Sequence, residues 1–176
     1  MFQRIRSLDW RLTSNIASLP RYMYPLMVAI TQLGGAVIVG LIMMAGIYFS
    51  YLAQEWRLAW VYVLTIIAIG FSFILKAYFR RRRPDTPYAK AMWTKTYSFP
   101  SGHSFGAIAA YGVSAMALIP FVDVHWHLVL WLVAIVVTLM VGFSRVYLGA
   151  HYVLDVVGGW VLGLVYLSSL RFFGMM

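Results

Sequence analysis

Five apolar stretches, near residues 25–53, 58–78, 102–121, 127–144 and 151–173, govern what this 176-residue chain can fold into. A helix crosses the hydrocarbon core of a bilayer with about 20 apolar residues, and each stretch reaches or nearly reaches that length. Lipid offers no partner to a backbone N–H or C=O, so such stretches read as helices that bond their own backbone. Composition agrees, because a chain 62% hydrophobic and 11% charged has too little polar surface for a soluble domain. The expected fold class is an all-α membrane protein with about five transmembrane helices. No cysteine is present, which excludes disulfides, thiolate metal sites and cysteine nucleophiles.

Residues 1–23 read as a separate amphipathic interfacial segment, and residues 24–176 as one transmembrane domain. Ile5, Leu8, Leu12 and Ile16 fall on one helical face, with Asp9 and Arg11 off it. That pattern predicts a helix lying on the membrane surface. The start of the chain does not run into a continuous apolar stretch, so no signal peptide is expected. Gly34-Gly35 inside the first apolar stretch predicts tilt or a kink. Trp60, Trp126, Trp131 and Trp160 are expected at membrane interfaces, and Gly159 with Gly163 is expected to let two helices approach closely.

Transmembrane helices alternate in direction, and this sorts the span ends by side. The end of span two carries Lys76, with Arg83 just beyond it. Span three opens with Ser101, Gly102 and His103. Span four ends at Ser144 and Arg145, and span five begins with His151 and Asp155. All four ends fall on one face of the membrane.

The residues gathered there suit phosphate. Lys76, Arg83 and Arg145 supply cations, and a guanidinium fork matches phosphate oxygens in bidentate fashion. Ser101-Gly102-His103 opens a helix whose first N–H groups lack partners and attract anions. His151 and Asp155 are four apart, which predicts a shared helical face and a hydrogen bond. A carboxylate that holds one imidazole nitrogen aims the other as a base or nucleophile. His103 is then placed to protonate a leaving oxygen. Arg80, Arg81 and Arg82 read equally well as a juxtamembrane basic cluster that sets topology. His125 and His127 lie at the opposite face near Asp123 and read as interfacial residues rather than metal ligands. In a chain of this class the net charge of +9 points to anionic headgroups or a phosphate substrate, not to nucleic acid.

These residues resemble the three signature motifs of the type-2 phosphatidic acid phosphatase (PAP2) family, which is related to vanadium haloperoxidases. Lys76 through Arg83-Pro84 matches the first motif, Pro100-Ser101-Gly102-His103 the second, and Ser144-Arg145 with His151 and Asp155 the third. Each part is weak alone, whereas the joint match, in order and at the family's spacing, is specific. The resemblance spans roughly residues 70–165. It implies a PAP2-like helical bundle that hydrolyses a lipid phosphate or pyrophosphate, with His151 forming a phosphohistidine and Asp155 orienting it. It further implies that His103 protonates the leaving group and that Lys76, Arg83, Arg145, Ser101 and Gly102 hold phosphate oxygens. Neither a metal nor another cofactor is expected. Many bacterial members have six spans, whereas this chain reads as five, with the surface helix in place of the first.

Substrates that fit are undecaprenyl pyrophosphate, phosphatidylglycerophosphate, phosphatidic acid and a lipid A phosphate. A lipid phosphotransferase would use the same residues, and a small anion transporter would explain the arginines but not the two histidines beside Asp155. Arg57 and Arg171 fall on the far face and the other twelve Lys and Arg on the site's face. The positive-inside tendency alone would make that face cytoplasmic. The resemblance instead implies an extracytoplasmic site in a bacterial inner membrane, and phosphate binding accounts for three of the cations. The reading therefore favours the periplasmic or extracellular side.

Overall fold

The computed structural model describes residues 2–92 and 96–176, and among them there is no strand. Helix α1 spans Phe2–Ala17, α2 Tyr24–Gln32, α3 Ala36–Leu52 and α4 Trp56–Phe79. A short α5, Pro87–Ala91, is followed by α6 Gly102–Leu118, α7 Val124–Tyr147 and α8 Val153–Phe172. Among the described residues five segments are long and apolar enough to cross a membrane: Arg21–Leu52, Trp56–Phe79, Gly102–Phe121, Val124–Tyr147 and Val153–Phe172.

The first of these is broken rather than gently kinked. Gly35 is extended at the start of α3 (φ −73°, ψ 156°), and Tyr111 Oη donates to the Leu33 carbonyl freed by the break, at 3.0 Å. Gly34 has no room for a side chain: a Cβ there would lie 2.5 Å from Val141 Cγ1 and 3.0 Å from the His103 carbonyl oxygen. The break thus brings the first span against the opening turn of α6.

Helix α6 is the central element, packed against α3, α4, α7 and α8. Its small residues, among them Ala107, Ala109, Ala110 and Gly112, are buried and let its neighbours close in. Gly159 and Gly163 of α8 face it as expected: a Cβ on Gly159 would meet the Ser101 carbonyl at 2.6 Å, and one on Gly163 would meet Ile108 Cγ2 at 1.9 Å. Large apolar side chains such as Leu41, Ile67 and Leu132 remain exposed on α3, α4 and α7, as lipid-facing surfaces do.

Two expectations need correction, and one element was not anticipated. The fifth span begins at Val153, so His151 lies in the turn before α8 and not on a helical face shared with Asp155. Trp160 lies inside α8, against Gly142 of α7, and not at an interface. The polar stretch 80–100 contains a helix, α5, that no periodic pattern announced. Its start is set by Thr86, whose hydroxyl accepts from Ala89 N at 3.1 Å, with Pro87 in the first turn. At the opposite end of the bundle, Asp123 caps α7 by accepting from His125 N at 3.0 Å, and His127 Nε2 donates to the Ile119 carbonyl at 3.1 Å. His125 and His127 thus belong to the first turn of α7, beside the connection from α6.

Helix α1 packs across the ends of α7 and α8. Ile5, Leu8 and Leu12 are exposed along one side, while Ile16 turns partly into a small core with Met27, Ile30 and Tyr147. Asp9 and Thr13 are buried.

Candidate active site

The expected site residues converge at one end of the bundle. Helix α4 carries Lys76 on its last turn, where the chain leaves the helix through Arg80 in a left-handed conformation (φ 47°). Lys76 is 4% exposed, and its ammonium donates to the Pro100 carbonyl at 2.5 Å and the Tyr97 carbonyl at 3.3 Å. An ammonium has three protons, so one donor remains for a substrate.

Arg83 holds the connection from α4 to α6 against the turn before α8. Its Nε donates to the Thr96 carbonyl at 2.8 Å and its Nη2 to Thr96 Oγ1 at 3.1 Å. Its Nη1 donates to the Ala150 carbonyl at 3.0 Å and lies 3.1 Å from His151 Nε2. Burial, then the neighbouring Arg145, lowers Arg83 to about 10, while Asp155 pulls it upward. The guanidinium remains charged at neutral pH.

Arg145, 1% exposed, ends α7. Its Nη1 donates to Thr31 Oγ1 at 2.7 Å and to Tyr88 Oη at 3.4 Å, and its Nη2 reaches Met92 Sδ at 3.6 Å. Among the described residues the buried Nε has no hydrogen-bond partner. An unpaired guanidinium N–H in such a place is costly, and a phosphate oxygen would satisfy it.

Ser101 precedes α6 and turns its hydroxyl inward, accepting from Ser104 N at 3.4 Å and Ser104 Oγ at 2.9 Å. Among the described residues that leaves the N–H groups of Gly102 and His103 as the unpaired donors of the first turn. A Cβ on Gly102 would lie 3.8 Å from Lys76 Cε, so this helix start borders the ammonium. His103 is half-buried beside it, and its ring has no hydrogen-bond partner among the described residues.

His151, 1% exposed, is held at both ring nitrogens. Nδ1 lies 3.4 Å from Asp155 Oδ2 and 3.4 Å from Ser98 Oγ. Asp155 is fully buried, and Oδ2 accepts from Ser98 Oγ and, at 2.9 Å, from Tyr152 N. A guanidinium only donates, so Nε2 accepts from Arg83 and the proton sits on Nδ1 facing Asp155. Burial comes first among the influences on His151, followed by Arg145, Arg83 and Lys76; together they lower it well below the usual imidazole range. A neutral ring with an Nε2 lone pair aimed among three cations is the electronic state a nucleophile toward phosphorus requires.

Sequence reasoning missed several contributors. Thr31, Tyr88, Met92, Thr96 and Ser98 touch the arginines or the histidine, yet none carries a motif of its own. Arg81, read as equally suited to topology, donates to Asp155 Oδ1 at 2.8 Å. Among the described residues no group of three His, Asp or Glu converges as a metal cage would.

Comparison with known proteins bears on the same residues. A family model described as the PAP2 superfamily matches residues 54–171, a window that holds every expected site residue. Phosphatidylglycerophosphatase B of Bacillus subtilis is 37% identical over 153 residues, covering 79% of this chain and 69% of that protein. Undecaprenyl-diphosphatase of Sulfolobus acidocaldarius is 32% identical over 102 residues, covering 56% of this chain but 46% of the other. The crystal structure of a transmembrane PAP2-type phosphatidylglycerolphosphate phosphatase from Bacillus subtilis superposes with a TM-score of 0.80. It is 31% identical, over 97% of this chain and 86% of that one. Aquifex aeolicus LpxE, at 18% identity and a TM-score of 0.66 over 92% of this chain and 93% of that one, shares the fold. This chain therefore belongs to the PAP2 superfamily and is an integral-membrane phosphatase of lipid phosphates.

Proposed function

We propose that the chain hydrolyses a lipid phosphate or pyrophosphate through a phosphohistidine on His151. The observation that carries this reading is the Nε2 nitrogen of a neutral His151 set among Arg83, Arg145 and Lys76, with Asp155 behind the ring. The Nε2 lone pair attacks phosphorus and the P–O bond to the leaving group breaks. A protonated His103 gives its proton to the departing oxygen. Water then attacks the phosphohistidine, neutral His103 takes its proton, and the P–N electron pair returns to Nε2 as phosphate leaves. Lys76, Arg83, Arg145, Ser101 and the Gly102 N–H offset the charge that develops on the phosphoryl oxygens.

The names of the two curated relatives favour phosphatidylglycerophosphate and undecaprenyl pyrophosphate over phosphatidic acid and a lipid A phosphate. A groove of about 520 Å³ between α4 and α8 gives a lipid tail its place. It is lined by Phe71, Leu75 and Leu162, and its walls include Ser72 and Phe105, one turn from Lys76 and Ser101. Helix α1 lies in the interface with Ile5, Leu8 and Leu12 in lipid and Arg4, Arg6 and Arg11 toward headgroups. The site opens to the periplasmic side of a bacterial inner membrane.

Phosphate release from the four lipids, each in detergent micelles with EDTA present, tests the reading. Turnover of at least one, lost in His151→Ala, supports it. Turnover that needs added divalent metal, or product appearing as a phosphorylated acceptor lipid, overturns it. For topology, a single cysteine at Asp85, whose side chain is 83% exposed, is suited to an impermeant maleimide. Labelling in intact cells supports the periplasmic side, and labelling after lysis alone places the site in the cytoplasm.

A further inference from the structure

The run Arg80 to Arg83 does not behave as one basic cluster. Arg82 is exposed, whereas Arg81 turns into the protein and joins two buried carboxylates. Its Nη1 donates to Asp155 Oδ1 at 2.8 Å, its Nη2 pairs with Asp9 Oδ2 at 2.5 Å, and its guanidinium lies 4.3 Å from the centre of the Tyr152 ring. Asp9 comes from α1, outside the window matched by the family model. Its second oxygen accepts from Leu154 N at 2.9 Å, and Thr13 one turn on accepts from Val153 N at 3.1 Å. Helix α1 therefore caps the first turn of α8, the turn that presents Asp155. At the start of α6 Ser101 caps Ser104 N alone, and among the described residues the N–H groups of Gly102 and His103 are left for an anion.

We propose that Arg81 is a positioning residue of the phosphatase site, held in place by Asp9 of α1, and that α1 is thereby part of the catalytic apparatus. Asp155 directs Oδ2 to Ser98, Tyr152 N and the His151 ring, so the ring's orientation follows the carboxylate's. Arg81 secures the remaining oxygen and holds the carboxylate in plane. Among the described residues its side chain bonds to Asp155 and Asp9 and not to Lys76, Arg83 or Arg145, so its loss acts on turnover and not on phosphate binding. This inference rests on the reading of His151 as nucleophile with Asp155 behind it.

The test is steady-state phosphate release by the full chain in micelles of the four lipids named above. Arg81→Gln is expected to lower kcat roughly 30-fold with KM within about threefold, and Asp9→Asn to lower kcat by about fivefold. Arg82→Gln, next in the run, should stay within about twofold of the parent. In an Asp155→Asn background, Arg81→Gln should add no further loss, because both changes remove the same constraint on His151. Arg81→Lys, which keeps the charge, should recover part of the rate, and thermal unfolding in the same detergent separates misfolding from mispositioning. Full kcat in Arg81→Gln, or losses that multiply with Asp155→Asn, overturn the role of Arg81. An unchanged Asp9→Asn overturns that of α1. A parent chain that releases phosphate from none of the four lipids overturns the phosphatase reading itself.

Discussion

Arg83 Nη1 lies 3.1 Å from His151 Nε2, so a guanidinium expected to hold phosphate also borders the ring nitrogen expected to attack it. The contact fixes the ring's tautomer, because only a lone pair on Nε2 suits a donor at that distance. It also places the phosphate-binding fork beside the line of attack. An ammonium in place of the fork would keep the charge and lose the parallel donors that reach Thr96, Ala150 and His151 together. Arg83→Lys is accordingly expected to lower kcat/KM about 100-fold, or ~2.7 kcal/mol of transition-state stabilisation, in steady-state phosphate release.

His151 should remain neutral well below the pH at which a free imidazole takes up a proton. Its folded value is depressed, so between that value and about 6.5 the unfolded chain binds the extra proton and the folded chain does not. Stability therefore rises with pH through that window and is lost as pH falls from about 6.5. In a ring-¹⁵N-histidine sample, assigned with His151→Asn, the His151 signals should report the Nδ1-protonated neutral ring at about pH 6. An imidazolium at that pH would contradict the proposed electrostatics.

Thr31 stands outside every motif yet accepts from Arg145 Nη1 at 2.7 Å in the interior. Removing a buried partner of a charged donor costs ~1.5–3 kcal/mol. Thr31→Val should therefore raise the inhibition constant of vanadate, a five-coordinate mimic of phosphorus in transfer, about tenfold. Thr31→Ser, which keeps the hydroxyl, should leave it near the parent value.

The contact between α8 and α6 sets the position of Ser101 and Gly102, and Gly159 makes it possible. A Cβ at 159 would lie 2.6 Å from the Ser101 carbonyl, which is backbone and cannot swing away. Gly159→Val is expected to destabilise the chain by ~2 kcal/mol or more, seen as a lower Tm in detergent. An unchanged Tm would mean that the two helices pack less closely than described.

The spans and the motif residues were legible because each signal is local: a run of apolar residues, or a fixed spacing within one segment. Alternation then sufficed to bring Lys76, His103, Arg145 and His151 to one face. Geometry finer than a face was not legible. Thr31, Tyr88 and Ser98 are ordinary residue types whose place in the site comes from contacts between distant segments. Tilt or a kink at Gly34-Gly35 was legible, but the full break and its use, seating the first span against His103, depend on Val141 of α7. Asp9 was correctly placed off the apolar stripe of α1. Its burial against Arg81 and Leu154 could not follow from the helical period alone, which does not say what the polar side of a surface helix meets.

The central claim is that His151 Nε2 carries the phosphoryl group between lipid and water. It is tested most directly by mixing the chain with ³²P-labelled phosphatidylglycerophosphate, quenching in alkali within the first turnover, and mapping the label by mass spectrometry. The account predicts an acid-labile, alkali-stable phosphoryl group on His151, absent in His151→Ala. Turnover of that lipid with no protein-bound label, or with the label on another residue, would contradict it.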